Sequence, residues 1–103
     1  VVINSGGEKV YPEEVEEAVK RHPAVADCLV VGVPDDRFGE AVTAVVALDP
    51  GESATADDIG GALDGLARYK RPRNYVFVSE IVRAPNGKAD YKWAKQAARA
   101  GLQ

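Results

Sequence analysis

Four stretches of this chain hold residues able to do chemistry. Arg83-Ala84-Pro85-Asn86-Gly87-Lys88 spells a turn that holds a lysine outward. Pro85 fixes φ, Asn86 and Gly87 tolerate positive φ, and Lys88 follows at once. A lysine on the lip of a tight turn is a point charge able to meet a phosphate or a carboxylate. The same residues also make an ordinary surface turn with a solvated lysine. Near the start, Ser5-Gly6-Gly7-Glu8-Lys9 pairs two glycines. They let a backbone come close to a ligand or another chain, or simply close a hairpin. Tyr69-Lys70-Arg71-Pro72-Arg73 sets three cations beside an aromatic. Arginine grips phosphate through two donors and an aromatic stacks on a base, so the cluster suits one nucleotide or is a solvated basic loop. Pro34-Asp35-Asp36-Arg37-Phe38-Gly39 puts Phe38 in a polar loop, where the ring needs cover from the core or from a ligand.

Other reactive residue types are poorly placed. Cys28 sits inside an apolar strand pattern and reads as a small core residue. His22 stands at the end of a predicted helix, where it serves the dipole. No His, Cys or carboxylate grouping has metal-ligand spacing. No Ser-His-Asp or Cys-His set can be built from one histidine so placed, and there is no Walker-type loop.

The elements that must position these stretches follow from periodicity. Val1 to Asn4 reads as a short strand, with Val10-Tyr11 pairing back. A helix is predicted from Pro12 to Arg21. Pro12 fits its first position, Glu13, Glu14, Glu16 and Glu17 lie in its early turns, and Lys20, Arg21 and His22 lie at its end. Val15, Ala18 and Val19 share one apolar face. Val25 to Val33, apolar except around Asp27 and Gly32, and Glu40 to Leu48 read as buried strands. Thr55 with Asp58 resembles a capping box ahead of Ile59, Ala62, Leu63 and Leu66. Gly60, Gly61 and Gly65 weaken that helix by roughly 1 kcal/mol each. Tyr69 to Asn74 reads as a basic loop, Tyr75 to Val78 as a strand, and Ile81-Val82 extends the pairing. Asp90 caps a last helix with Trp93, Ala94, Ala97 and Ala98 on one face. The order predicts an α+β fold: a small mixed or antiparallel sheet with helices packed against it.

Length and composition narrow the function. With 103 residues the chain makes one domain with one modest core. A net charge of -3 argues against a nucleic-acid module. No apolar run reaches the ~18 residues of a transmembrane helix, and the first residues predict no signal peptide. A single cysteine suits a reducing compartment, hence the cytoplasm. Methionine is absent even at position 1, which predicts a piece of a longer chain cut at a domain boundary.

Read together, the motifs resemble the C-terminal domain of the adenylate-forming acyl-CoA synthetases. The matching runs are Ser5-Gly6-Gly7-Glu8-Lys9-Val10-Tyr11-Pro12-Glu13-Glu14-Val15-Glu16, His22-Pro23-Ala24-Val25, Val31-Gly32-Val33-Pro34-Asp35-Asp36-Arg37-Phe38-Gly39-Glu40, Tyr69-Lys70-Arg71-Pro72, Phe77-Val78 and Asn86-Gly87-Lys88. They keep the family's order and spacing and cover nearly the whole chain. One departure lies in the lysine loop, which commonly reads Leu-Pro-Arg-Thr-x-x-Gly-Lys-Ile. Residues 81–89 here lack the threonine, shift the proline and replace the isoleucine.

The resemblance implies an enzyme that activates a carboxylic acid in two steps. ATP gives an acyl-adenylate and pyrophosphate; coenzyme A then displaces AMP. Residues 1–103 would be the lid that closes in two orientations over a large N-terminal domain, its partner in cis. That domain would hold ATP, the acid and Mg2+. By resemblance Lys88, following Gly87, is the adenylation lysine. Gly6, Gly7 and Glu8 form the loop that swings in for thioester formation and shapes the pantetheine tunnel. Tyr69, Arg71 and Arg73 lie near the coenzyme A nucleotide, and Phe38 helps stack the adenine. The lysine variant is most similar to fatty-acyl or sterol-side-chain CoA synthetases. The domain alone is expected to be inactive. Two other readings stay open: a stand-alone module binding CoA or a nucleotide, and the lid of a ligase that loads a carrier protein.

Overall fold

The two apolar runs pair with each other along their whole length. In the computed structural model, which describes all 103 residues, the order is β1 (Ile3–Ser5), β2 (Glu8–Val10), α1 (Pro12–Lys20), β3 (Val25–Asp35), β4 (Gly39–Leu48), α2 (Ala56–Gly60), a 3-10 turn (Arg68–Lys70), β5 (Asn74–Val78) and α3 (Tyr91–Gly101). β3 and β4 form an antiparallel hairpin from Val25 opposite Leu48 to Asp35 opposite Gly39. β5 runs parallel to the other side of β4. β1 touches that same side where Ser5 faces Gly39, and pairs with β2. The sheet is therefore mixed, and β3 is left on an open edge.

Both faces of this hairpin are covered, which is why its strands are apolar without alternation. Cys28, Val30, Val42, Ala44 and Val46 pack against Val15, Ala18 and Val19 of α1 and against Ile59, Leu63 and Leu66. Leu29, Val31, Val45 and Ala47 pack against Ala94 and Ala98 of α3 and against Ile81. The α+β expectation holds, with helices on both faces of the sheet. No helix is long and apolar enough to cross a membrane.

Local chemistry explains most boundaries. Pro12 opens α1, with Glu13 and Glu14 in the first turn and Lys20 in the last. Thr55 and Asp58 exchange both bonds of a capping box, and Asp90 Oδ1 accepts from Trp93 N to start α3.

Several expectations need correction. Pro34 and Asp35 continue β3, a place open to proline because β3 is an edge. The turn is only Asp36-Arg37-Phe38, closed by Asp35 Oδ2 accepting from Arg37 N and Phe38 N. The glycine-rich segment after Thr55 stays helical only to Gly60 and buries Leu63 and Leu66 from turns. Ile81 joins the core without strand pairing, and Val82 is exposed. His22 Nδ1 also accepts from Ala24 N in the turn after α1. Glu16, unlike Glu13, Glu14 and Glu17, is buried. Its Oε2 accepts from Val30 N on the open edge of β3 and from Tyr91 Oη of α3. Burial pushes the Glu16 carboxyl above its usual range, opposed by those two bonds.

Candidate functional site

The lysine turn is built as a small hairpin. Gly87 N donates to Ala84 O across Pro85-Asn86, and Ala84 N donates to Lys88 O. Arg83 and Ala89 face each other across it. Of the two residues expected to tolerate positive φ, only Gly87 uses it, at +84°. Asn86 instead caps locally, its Oδ1 accepting from Lys88 N at 3.1 Å. Lys88 is exposed. It enters none of the domain's ion pairs, which join Glu17 to Lys20, Glu14 to Lys70 and Asp27 to Arg83.

The last of these pairs ties the turn to the sheet. Arg83 Nε donates to Asp27 Oδ2 at 2.8 Å and Nη2 to Asp27 Oδ1 at 2.7 Å. Its Nη1 reaches Gly87 O at 3.3 Å. Asp27 follows a break in register between Val25 and Asp27, the kind of bulge that re-aims a side chain on an edge strand. The Arg83 guanidinium holds the Asp27 carboxyl below the usual carboxylate range. Sequence reasoning missed this pair. The available signal was an acid inside an otherwise apolar strand and an arginine five residues before the lysine.

The glycine turn lies at the other end of the hairpin. Gly6 and Gly7 have φ of +60° and +84°, a two-residue connection that suits a tightly twisted β1–β2 hairpin. Gly6 N donates to Phe38 O at 2.8 Å. A Cβ on Gly6 would lie 3.5 Å from the Phe38 ring, while one on Gly7 would meet nothing. Glu8 is exposed beside the turn. Arg73 lies over the Phe38 ring, its guanidinium carbon 3.6 Å from the centroid, and Arg37 is 5.2 Å away. The structure thus brings together Gly6, Gly7, Phe38 and Arg73.

Arg71 and Tyr69 are held separately. Arg71 Nε donates to Leu66 O at 2.9 Å, anchoring the turn that buries Leu66. Tyr69 is 41% exposed beside Lys70, which bonds both oxygens of Glu14. Arg73, with no such internal duty, is the cation of this cluster that faces outward.

The two groups do not converge. Asp27, which anchors the lysine turn, and Asp35, which closes the Phe38 turn, lie at opposite ends of β3. That is roughly 27 Å of extended strand. Neither group lines the domain's one pocket, of about 240 Å³, formed between Val1, Val2, Ile3, Gly32, Glu40, Tyr91 and Lys95. Reactive residues thus stand on two exposed turns outside that pocket. No group of three or more His, Cys, Asp or Glu is arranged to hold a metal ion. Burial pushes the Cys28 thiol well up, which removes it as a nucleophile.

Comparison with known proteins places the chain in a family. The family model described as AMP-binding enzyme C-terminal domain matches residues 14–88. A 3-oxocholest-4-en-26-oate--CoA ligase of Rhodococcus rhodochrous is 65% identical over 96 residues, covering 92% of this chain and 17% of that protein. A medium/long-chain-fatty-acid--CoA/3-oxocholest-4-en-26-oate--CoA ligase of Mycobacterium tuberculosis is 54% identical over 101 residues, covering 97% of this chain and 18% of that protein. Among solved structures, a Mycobacterium tuberculosis fatty acyl CoA synthetase superposes with a TM-score of 0.87 at 36% identity, covering 96% of this chain and 20% of that one. The chain therefore spans less than a fifth of the length of these curated relatives.

Proposed function

Because the chain belongs to the family of AMP-binding enzyme C-terminal domains, we propose that it is the alternating lid of an ATP-dependent acyl-CoA ligase. Its partner is a large N-terminal domain in cis, which holds ATP, the acid and Mg2+. The acid is a fatty or sterol-side-chain acid, the class named for the relatives above. CoA is the second substrate, and the compartment is the cytoplasm, where the free thiol of Cys28 fits.

One observation carries this reading: Lys88 is an exposed, unpaired cation on a braced turn that has no pocket of its own. Such a cation serves a site made by another surface. Closed over the large domain, its ammonium would bridge the attacking carboxylate and the α-phosphate. The carboxylate oxygen attacks the α-phosphorus, the bond to the pyrophosphate leaving group breaks, and one positive charge in a water-poor site counters the charge that develops.

The second half-reaction belongs to the opposite end. There the thiolate of CoA attacks the adenylate carbonyl and AMP leaves. Gly6 and Gly7 offer backbone without side chains to the pantetheine arm, with Glu8 at the rim. Phe38 and Arg73 offer a stacking face and a cation to the nucleotide. Tyr69 adds a second exposed ring, and Arg71 supports the segment through Leu66.

The test uses the full-length ligase with Lys88→Ala. Pyrophosphate release from acid and ATP should collapse, while pre-formed acyl-adenylate should still yield the thioester. Equal activity of both forms from the acid would refute the assignment. Absence of a thioester with any acid would favour a stand-alone CoA-binding module. Transfer to a carrier protein in place of free CoA would change the acceptor and keep the lid.

A further inference from the structure

We infer that Arg83 and Asp27 are positioning residues for Lys88, forming a brace that fixes the lysine turn to the open edge of the sheet. The inference rests on the proposed role of Lys88 in adenylation.

The turn needs an external anchor. Its own hydrogen bonds, Gly87 N to Ala84 O, Ala84 N to Lys88 O and Lys88 N to Asn86 Oδ1, define its shape but not its direction. Pro85, Asn86, Gly87 and Lys88 are all exposed, so packing does not fix the tip. Arg83 supplies the missing link. One planar guanidinium donates to both carboxylate oxygens of Asp27 and to the carbonyl of Gly87, the residue just before the lysine.

The other end of the brace is rigid. Asp27 belongs to β3, whose neighbours Cys28 and Leu29 are fully buried. Its Oδ1 also accepts from Cys28 N at 2.8 Å, which fixes the carboxylate against its own strand. A fork geometry of this kind gives orientation as well as attraction. A lysine delivered from a flexible stem onto a reacting phosphate gains from a fixed origin, since misplacement by about 1 Å can cost on the order of 10²-fold. Arg83 touches no substrate in this scheme and acts through Gly87 and the start of the lysine.

The experiment compares Arg83→Ala, Arg83→Lys, Asp27→Ala, Lys88→Ala and the double variant Arg83→Ala/Lys88→Ala in the full-length ligase. Adenylation is read as pyrophosphate release, thioester formation from pre-formed acyl-adenylate, and folding as thermal unfolding. Arg83→Ala and Asp27→Ala are expected to lower kcat of adenylation by roughly tenfold to a hundredfold, with thioester formation from the adenylate intact. Arg83→Lys keeps the charge but cannot reach both carboxylate oxygens and Gly87 O together. It should unfold like wild type and still lose adenylation, so the inference can be tested even if the alanine variants fold poorly. The double variant should be no slower than Lys88→Ala alone, because a brace has nothing to position once the lysine is gone. Equal loss in both half-reactions, or additive loss in the double variant, would overturn the brace alone. Intact adenylation in Lys88→Ala would overturn the lysine assignment and the brace with it.

Discussion

The two ends of the β3–β4 hairpin present opposite kinds of surface. At the Asp27 end the sheet holds up a side chain: a single exposed lysine on a turn tied down by a two-pronged ion pair. At the Asp35 end it holds up bare backbone. Gly6 and Gly7 turn at positive φ, fixed by a main-chain bond to Phe38 and by the stack of Phe38 under Arg73. On the proposed reading, one end would bring charge to a ligand and the other would let a ligand pass close. Placing them at opposite ends of two buried strands means they cannot address one small ligand at the same time. Under the proposed function, a domain so built would have to reorient to use both ends.

The sharpest way to break that comparison is to remove the side chain at one end. Lys88→Ala should lower the first half-reaction by roughly 10²–10³, the cost of losing one pre-placed charge donor. The opposite operation adds a side chain at the other end. Gly6→Val forces a branched residue into φ +60° and against the Phe38 ring. Left-handed backbone costs such residues at least ~1–2 kcal/mol. Thioester formation from pre-formed adenylate should fall by roughly tenfold to a hundredfold, with pyrophosphate release spared. A variant that lowered both half-reactions equally would mean that the two ends do not work separately.

The two arginines of the basic run differ in placement: Arg73 lies on Phe38 at the second end, and Arg71 is tied to Leu66 O. Arg73→Ala should raise KM for CoA by about tenfold, equivalent to roughly 1.4 kcal/mol, with only a small fall in unfolding temperature from the lost stack on Phe38. Arg71→Ala should do the reverse. It loses the bond from Nε to Leu66 O, worth about 1 kcal/mol of stability, with KM for CoA nearly unchanged. Titration of CoA against each variant, alongside a thermal melt, separates them. If Arg71→Ala alone raised KM, the outward cation would be misassigned.

What the sequence revealed and what it hid follow one physical line. Local rules sufficed wherever the partners were close in sequence. Pro12 and the acids of α1, the Thr55–Asp58 box, Asp90 and the lysine turn all express contacts a few residues apart. The family resemblance pointed to both ends of the hairpin. What stayed hidden were contacts across the fold. Arg83 meets Asp27 over 56 residues of sequence and Tyr91 meets Glu16 over 75, and no spacing rule joins them. Tyr69, Arg71 and Arg73 looked alike as neighbours in a basic run. Only the fold assigns Arg71 to a carbonyl, Arg73 to a ring and Tyr69 to the surface. Likewise Glu16 shares a sequence pattern with Glu13, Glu14 and Glu17, but α1 turns it toward an unpaired edge of the sheet.

The smallest expected effect concerns the anchor of the lysine end and is read by pH. Arg83 holds the Asp27 carboxyl below its ordinary range, so the native state binds the proton less readily than the unfolded chain does. The pair therefore adds stability above the unfolded value of about 3.9, and that contribution disappears as pH falls through the lower native value. Asp27 keeps 27% of its side-chain surface exposed, so solvent screens the pair and the gain should be about 1 kcal/mol or less. Thermal melts of wild type and Asp27→Asn should then differ by a few degrees at neutral pH, on the order of 4 °C. The two curves should approach each other below about pH 4. No comparable convergence is expected for Gly6→Val, because the substitution acts on a main-chain turn bonded to Phe38 O and removes no carboxylate bond. Equal acid sensitivity of wild type and Asp27→Asn would show that the lysine end, too, is held by the backbone of its turn, and the contrast between the two ends would shrink to Lys88 itself.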